Sequence, residues 1–169
     1  MTQHVIVNRR EQSDAARRKR KRNVPAKEGP TVLLVEDDPD MREMLASVLR
    51  AEGYGVVEAA DGDDALEWLG DGVLDGEPSR LPAAIVSDIC LPYFSGLDIL
   101  EGVQLAPRRL PVILITGFGD PETHARAREL GAVCVLDKPF AMEDLRSAVR
   151  TALRPGGVRP PWARDGHEV

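Results

Sequence analysis

Polar side chains that could do chemistry stand at the ends of four short apolar runs in this sequence. The runs cover residues 31–35, 83–87, 111–115 and 132–136, and the side chains at or just beyond their ends are Glu36, Asp37, Asp88, Thr116 and Lys138. A short apolar run bounded by turn formers predicts a strand that is buried on both faces, and ligands of parallel α/β sheets gather beyond the carboxyl ends of such strands. We therefore expect three carboxylates, a hydroxyl and an ammonium to meet in one site.

The three carboxylates indicate a cation site. Glu36 and Asp37 follow the first strand and Asp88 ends the third, and these two strands are neighbours in a doubly wound sheet. Converging carboxylates raise one another's pKa, which a hard divalent cation relieves, and oxygen ligands suit Mg²⁺ better than Zn²⁺. The alternative is that Glu36, Asp37 and Asp38 only favour the dipole at the start of the next helix. Asp38 is expected to have that role, as the N-cap before Pro39.

Lys138 and Thr116 complete a site that suits phosphoryl transfer. A lysine at another strand end can pair with Asp88 or with an anion bound to it, and Thr116 offers a hydroxyl across the same cleft. A metal on one side, with an ammonium and a hydroxyl on the other, would stabilise charge on the equatorial oxygens of a phosphoryl group. Attack by Asp88 on that group would give an aspartyl phosphate.

The segments between these strands carry helical patterns. Apolar residues at helical spacing, N-cap residues followed by proline, and glycine stops predict helices over residues 39–52, about 63–69, 96 to about 103, 121 to about 130, and 141–153. A further short strand is expected from Tyr54 to Ala59, and an irregular loop from Gly70 to Pro82. Five strands alternating with five helices predict an α/β fold with a doubly wound parallel sheet and helices on both faces.

Length and composition are typical of one domain with polar extensions. The 169 residues hold 43% apolar side chains and only two cysteines, Cys90 and Cys134, so neither a disulfide framework nor a zinc cluster is supported. No apolar run reaches the roughly 18 residues that a membrane span needs, and the N-terminus lacks the apolar centre of a signal peptide. We expect a reducing, cytoplasmic setting.

The net charge of −6 divides unevenly along the chain. Residues 1–29 hold nine Lys and Arg against three acidic residues, a charge of +6, whereas residues 30–169 carry −12. Residues 1–29 are expected to form a disordered basic arm, residues 30–153 a single domain and residues 154–169 a flexible tail. The acidic domain is a poor candidate for binding nucleic acid, so nucleic acid or another anionic surface would be bound only through residues 9–22.

Four motifs, in order along the chain, carry a family resemblance. They are Leu-Leu-Val-Glu-Asp-Asp-Pro from residue 33, Val-Ser-Asp-Ile-Cys-Leu-Pro from residue 86, Ile-Thr-Gly from residue 115 and Asp-Lys-Pro-Phe from residue 137. From about residue 30 to residue 153 the chain resembles the response-regulator receiver domain of two-component signalling. The resemblance implies a flavodoxin-like sheet with strand order 2-1-3-4-5. It also implies a phosphoacceptor signalling protein, not an enzyme, that promotes its own phosphorylation and dephosphorylation.

The same resemblance implies a role for each site residue. Asp88 is the phosphoacceptor, the ligands of Mg²⁺ are Glu36, Asp37, Asp88 and the backbone carbonyl of Cys90, and the residues that bind the phosphoryl oxygens are Thr116 and Lys138. The Lys138–Pro139 bond is expected to be cis, and Gly96 stands in the loop after Pro92 where the family keeps a glycine.

The chain departs from the usual pattern of the family at two places. Val135 stands three residues before the lysine, where the family usually has the Tyr or Phe that turns inward on phosphorylation. Gly117-Phe118-Gly119 follows the switch threonine, where family members often have Ala. Elsewhere, His124 falls on a polar helix and is expected to be a solvated surface residue.

Three other classes of function compete with this interpretation. A phosphohydrolase that uses an aspartyl phosphate would need a second aspartate two residues after the nucleophile, where Cys90 stands. A nucleotide-binding protein would need a Gly-rich loop after the first strand, where Glu36-Asp37-Asp38 would instead repel phosphates. A nucleic-acid-binding protein working through residues 9–22 stays open and is compatible with the receiver interpretation.

We therefore expect a single-domain response regulator that accepts a phosphoryl group from a sensor histidine kinase or a histidine phosphotransfer protein. Too few residues follow Leu153 for an output domain, so output is expected through altered protein contacts or a phosphorelay. The chain is expected to be a monomer or a phosphorylation-dependent dimer.

Overall fold

The computed structural model describes residues 29–74, 81–105 and 109–154 of the chain. Within these ranges five strands alternate with five helices. The strands are β1 (Thr31–Val35), β2 (Gly55–Ala59), β3 (Ala84–Asp88), β4 (Val112–Thr116) and β5 (Cys134–Asp137). The helices are α1 (Pro39–Ala51), α2 (Gly62–Leu74), α3 (Gly96–Gln104), α4 (Pro121–Glu129) and α5 (Met142–Ala152).

The strands form one parallel sheet in the order β2-β1-β3-β4-β5, which confirms the predicted fold and strand order. Val35 of β1 pairs with Ser87 of β3, and Thr116 of β4 pairs with Asp137 of β5. Because neighbouring parallel strands run in the same direction, their carboxyl ends meet at one edge of the sheet. Ligand chemistry in open α/β sheets is found beyond that edge.

Helices cover both faces of the sheet, which explains the near-continuous apolar character of its strands. Along β1, Leu33 and Val35 pack into one core with α2, α3 and α4, whereas Val32 and Leu34 pack into a second core with α1 and α5. All four side chains are fully buried, which stabilises the fold by about 1.5–3 kcal/mol for each. Burial on both faces holds β1 inside the sheet, between β2 and β3, and brings Glu36 to the carboxyl edge.

Side-chain caps determine where two of the helices begin. Asp38 accepts a hydrogen bond from the amide of Met41 at 2.7 Å, which confirms its predicted role as an N-cap. Asp120 accepts one from the amide of Thr123 at 2.7 Å, and this bond lowers the pKa of the Asp120 carboxyl below its usual value. A proline follows each cap, where its missing N–H costs no hydrogen bond.

The structure corrects the predicted end of the second helix. Helix α2 continues to Leu74, so the irregular loop expected from Gly70 to Pro82 does not begin at Gly70. Glycine ends a helix by adopting the left-handed conformation, and Gly70 lies within α2 instead. Residues 75–80 of the predicted loop lie outside the described residues.

The fifth strand also starts later than predicted, at Cys134 and not at Ala132. Gly131 adopts the left-handed conformation with a φ of 87°, and the amide of Ala132 donates to the carbonyl of Ala127 at 2.9 Å. A left-handed glycine followed by such a bond closes a helix. The backbone of Ala132 therefore belongs to the end of α4, although its apolar side chain continues the pattern of the strand.

The predicted basic arm and C-terminal tail lie almost wholly outside the described residues. Their disorder and flexibility stay predictions. Among the helices of the described ranges, none combines the length and the hydrophobicity that crossing a bilayer requires.

Candidate functional site

Three carboxylates meet at the carboxyl edge of the sheet. Glu36, Asp37 and Asp88 each place one oxygen within 4.8 Å of the other two. Glu36 and Asp88 are buried, with 1% and 5% of their surface exposed, whereas Asp37 is exposed. The structure thus brings the three predicted side chains together because β1 ends beside β3. A cluster of carboxylate oxygens with one exposed member could hold a hard divalent cation.

Lys138 reaches this acidic cluster from the end of β5. Its Nζ donates to Asp88 Oδ2 at 2.5 Å and to Glu36 Oε2 at 3.0 Å. Burial acts to lower the pKa of Lys138, but the two hydrogen bonds outweigh it and hold that pKa above its usual value. Burial raises the pKa of Glu36, which the charge of Asp88 reinforces and Lys138 opposes. The ammonium therefore stays charged and compensates part of the repulsion among the carboxylates.

Both carboxylate oxygens of Asp88 have a partner. Oδ2 accepts from Lys138, and Oδ1 accepts from the amide of Cys90 at 2.7 Å, so the Cys90 peptide lies directly beside the carboxylate. Gly96 packs against the same stretch of backbone, where a Cβ atom would clash with the Asp88 carbonyl and lie 3.1 Å from the Cα of Ile89. Glycine here lets the loop that leaves β3 return close to the backbone that carries Asp88.

Thr116 is buried at the end of β4, which separates β3 from β5 in the sheet. Its Oγ1 accepts a hydrogen bond from the amide of Phe118 at 3.1 Å, and its carbonyl accepts one from the amide of Lys138 at 2.7 Å. The Lys138–Pro139 peptide is cis, as the resemblance implied. The hydroxyl of Thr116 and the ammonium of Lys138 are thus carried on strand ends that are hydrogen-bonded to each other.

At the two places where the sequence departs from the family pattern, Val135 and residues 117–119, the structure has a groove and an exposed aromatic ring. Val135 is half-buried and lines a groove of about 460 Å³ beside α4. The other residues that line the groove are Gly119, Pro121, His124, Arg128, Ala132, Val133 and Cys134. Phe118, two residues after the threonine, exposes 82% of its surface. A short side chain at position 135 therefore leaves this groove without a ring from β5.

Two contacts next to the site were not predicted. Arg42 donates to the backbone carbonyl of Glu36 at 2.7 Å, and its sequence signal would be a basic residue one helical turn after an acidic loop. His124 lies at the surface with 24% of its side chain exposed, and its Nε2 lies 2.9 Å from Asp137 Oδ1. No local signal could have found that second contact, because it joins residues 13 positions apart on different elements.

The strand order, with polar groups gathered at the carboxyl edge, places this protein in the flavodoxin-like class of α/β folds. Comparison with known sequences identifies a family within this fold class. The sequence model of the response regulator receiver domain matches residues 32–150. The chain belongs to the response-regulator receiver domain family.

Individual relatives agree with this assignment. Transcriptional regulatory protein PdtaR of Mycobacterium tuberculosis is 34% identical over 124 residues, which are 72% of this chain and 56% of PdtaR. Transcriptional regulatory protein FixJ of Bradyrhizobium diazoefficiens is 31% identical over 123 residues, 73% of this chain and 56% of FixJ. The solved structure of chemotaxis response regulator CheY4 of Vibrio cholerae is 27% identical with a TM-score of 0.60, over 72% of this chain and 97% of that one. The chain spans about half the length of the curated relatives it matches.

Membership of the family defines the general role of this chain. Receiver domains are the signalling domains of response regulators. The matched residues 32–150 lie inside the domain limits of 30–153 expected from the sequence. Those outer limits stay a prediction.

Proposed function

We propose that Asp88 is the phosphoacceptor of a response regulator that is phosphorylated by a histidine kinase or a histidine phosphotransfer protein. The surroundings of Asp88 support this most strongly. Its carboxylate is buried at the end of β3, accepts a hydrogen bond from Lys138, and has an oxygen within 4.8 Å of Glu36 and Asp37. A carboxylate with a cation on one side and a cluster of oxygen ligands on the other is suited to attack a phosphoryl group.

The proposed step transfers one phosphoryl group from a phosphohistidine. A carboxylate oxygen of Asp88 attacks the phosphorus, the new O–P bond forms as the N–P bond of the donor breaks, and the imidazole leaves with that electron pair and takes up a proton from water. Lys138, already bonded to Asp88, stabilises negative charge on the transferred oxygens. Thr116 offers its hydroxyl to the same oxygens from the end of β4.

The acidic cluster fits Mg²⁺ as the cofactor of this step. Glu36, Asp37 and Asp88 offer carboxylate oxygens, and one ammonium cannot compensate three carboxylates. By the family resemblance we also assign the backbone carbonyl of Cys90 as a ligand, and the bond from the Cys90 amide to Asp88 supports this by placing the residue beside the cluster. Bound Mg²⁺ would supply positive charge to the carboxylates and to the transferred phosphoryl oxygens.

The output is proposed to pass through altered protein contacts or onward transfer of the phosphoryl group. The relatives named as transcriptional regulators are about twice as long as the segment they share with this chain, so their regulatory activity is not carried over. The chain is proposed to act as a monomer or as a dimer that forms on phosphorylation.

Labelling with acetyl phosphate and Mg²⁺, followed by intact-mass measurement, tests the phosphoacceptor. We expect the wild-type chain to gain one phosphoryl group and Asp88→Asn to gain none. Asp137→Asn is the matched control, because Asp137 also ends a strand but is exposed and lies outside the acidic cluster. That variant should be labelled like wild type. Undiminished phosphate on Asp88→Asn would refute the assignment.

A second function, compatible with the first, is the binding of nucleic acid or another polyanion through residues 9–22. The division of charge favours it, because residues 1–29 carry +6 while the remainder carries −12. Contacts of Lys and Arg with phosphates dominate the affinity of such complexes.

A further inference from the structure

Arg42 binds the backbone of the acidic loop, residues 36–38, which carries Glu36 and Asp37 of the acidic cluster. Its guanidinium donates from one terminal nitrogen to the carbonyl of Glu36 at 2.7 Å and to the carbonyl of Asp37 at 3.4 Å. The amide of the same residue donates to the carbonyl of Asp38 at 2.9 Å, in the first turn of α1. Three consecutive carbonyls of the acidic loop therefore bond to one residue.

The other side of the guanidinium faces the edge of the sheet. Its Nε lies 3.7 Å from Glu58 Oε2 on β2, and a second arginine, Arg50, holds the other oxygen of Glu58 at 2.6 Å. Only 19% of the Arg42 side chain is exposed. Because β2 anchors one side of the guanidinium and the loop bonds to the other, Arg42 has a defined position relative to the sheet.

The acidic loop needs such support, because its carboxylates repel one another when no cation is bound. Fixing the carbonyls of Glu36 and Asp37 fixes the peptide planes next to both side chains. The two carboxylates then have less conformational freedom to lose when they converge on a cation. Groups that orient the ligands without touching the metal commonly strengthen the binding of the metal.

We propose that Arg42 is a positioning residue for the divalent-cation site, acting through the loop backbone and not through contact with the ion. The inference rests on the proposed function, since it concerns the same acidic cluster. The positive charge of Arg42 would by itself weaken cation binding, whereas its hydrogen bonds to the loop would strengthen it. The two effects therefore predict opposite changes in Mg²⁺ affinity when Arg42 is replaced by an uncharged residue.

Titration of the full chain with Mg²⁺, followed by the amide NMR signals of Glu36, Asp37 and Asp88, separates these effects. We expect Arg42→Gln and Arg42→Lys both to lose about tenfold in Mg²⁺ affinity, the lower end of what a lost ligand-orienting contact costs. Lysine keeps the charge but lacks the planar fork that reaches both the loop and Glu58. In the metal-free state the amide signals of Asp37 and Asp38 should shift in both variants.

Arg50→Gln is the matched control, because Arg50 also holds Glu58 but makes its other bond to Val56 and not to the acidic loop. Its Mg²⁺ affinity should stay within about twofold of wild type, well short of the loss expected when a ligand-orienting contact is removed. Tighter or unchanged binding in Arg42→Gln, wild-type affinity in Arg42→Lys, or an equal loss in Arg50→Gln would each overturn the inference alone. A wild-type chain that binds no Mg²⁺ would overturn it together with the proposed cofactor. Circular dichroism in EDTA confirms that each variant is folded before titration.

Discussion

Lys138 compensates two buried carboxylates, and its removal should destabilise the metal-free protein. Lys138→Met keeps the length of the side chain but leaves Glu36 and Asp88 without their shared cation. Breaking a fully buried ion pair costs about 3–5 kcal/mol, and we expect about 2 kcal/mol here because 24% of the Lys138 side chain is exposed. Urea unfolding in EDTA measures the loss, and a variant as stable as wild type would contradict the prediction.

The same ion pair gives the stability a specific pH dependence. The folded-state pKa of Lys138 lies above its ordinary 10.5, so its stabilisation is complete below that value and is lost as the pH rises through the folded-state pKa. The difference in unfolding free energy between wild type and Lys138→Met should shrink above 10.5. Cys134, whose pKa burial raises to about 11, titrates equally in both proteins and cancels. A difference that stays constant into this range would count against the pair.

Asp37 is the exposed member of the acidic cluster, and its charge matters more to the cation than to the fold. Asp37→Asn should weaken Mg²⁺ binding by more than about tenfold, the lower end of the loss caused by changing a group that only orients the ligands. Relief of carboxylate repulsion should leave the metal-free protein at least as stable as wild type. Asp38→Asn is the control, because asparagine also caps helices well and Asp38 lies outside the cluster. If Mg²⁺ affinity is unchanged in Asp37→Asn, the cation binds elsewhere.

At the scale of elements, two glycines of α3 should respond in opposite ways to alanine. Gly96→Ala places a Cβ against the Asp88 carbonyl and 3.1 Å from the Cα of Ile89, and overpacking of this kind costs about 1–3 kcal/mol. Gly102→Ala meets no atom within 4 Å and gains helix propensity of up to about 1 kcal/mol. Urea unfolding of both variants tests the pair. Equal stability of the two would mean that the loop after β3 shifts freely.

The strands and caps could be predicted because their signals are local. The apolar runs that end at Val35 and Asp88 lie in fully covered strands, and the aspartate-proline pairs mark two helix starts. The end of α2 and the start of β5 could not be predicted in the same way. Gly70 and Gly131 are the same residue type in the sequence, but only the second takes a left-handed conformation, which depends on the surrounding structure.

The sequence could predict which residues form the candidate site, but it could not predict all of the contacts between them. Carboxylates at the ends of two strands had to meet once the strand order was known, and Lys138 had to lie near them. That Lys138 bonds to Glu36 as well as Asp88 depends on side-chain conformations, which no spacing encodes. The contacts of Arg42 depend on the position of β2 beside the acidic loop, and so required the structure.

At the scale of the whole molecule, the charge of residues 1–29 should give salt-dependent binding to polyanions. At physiological salt, screening limits the attraction between exposed charges to about 8 Å. Binding to heparin or DNA is therefore best tested at about 50 mM salt. We expect binding by the full chain and none after deletion of residues 1–29. Deletion of residues 1–8, which hold no Lys or Arg, is the control and should bind like the full chain. Equal, weak binding by all three would make the arm a solubilising segment.

In the described residues the sheet has two open edges, one on β2 and one on β5. An open edge can pair with a strand of another molecule and begin aggregation. β5 has four residues and ends at the charged Asp137. Lys138 follows it, and then Pro139, which has no N–H to offer a neighbouring strand. The residues that end β5 at the candidate site thus also discourage intermolecular strand pairing at this edge of the sheet.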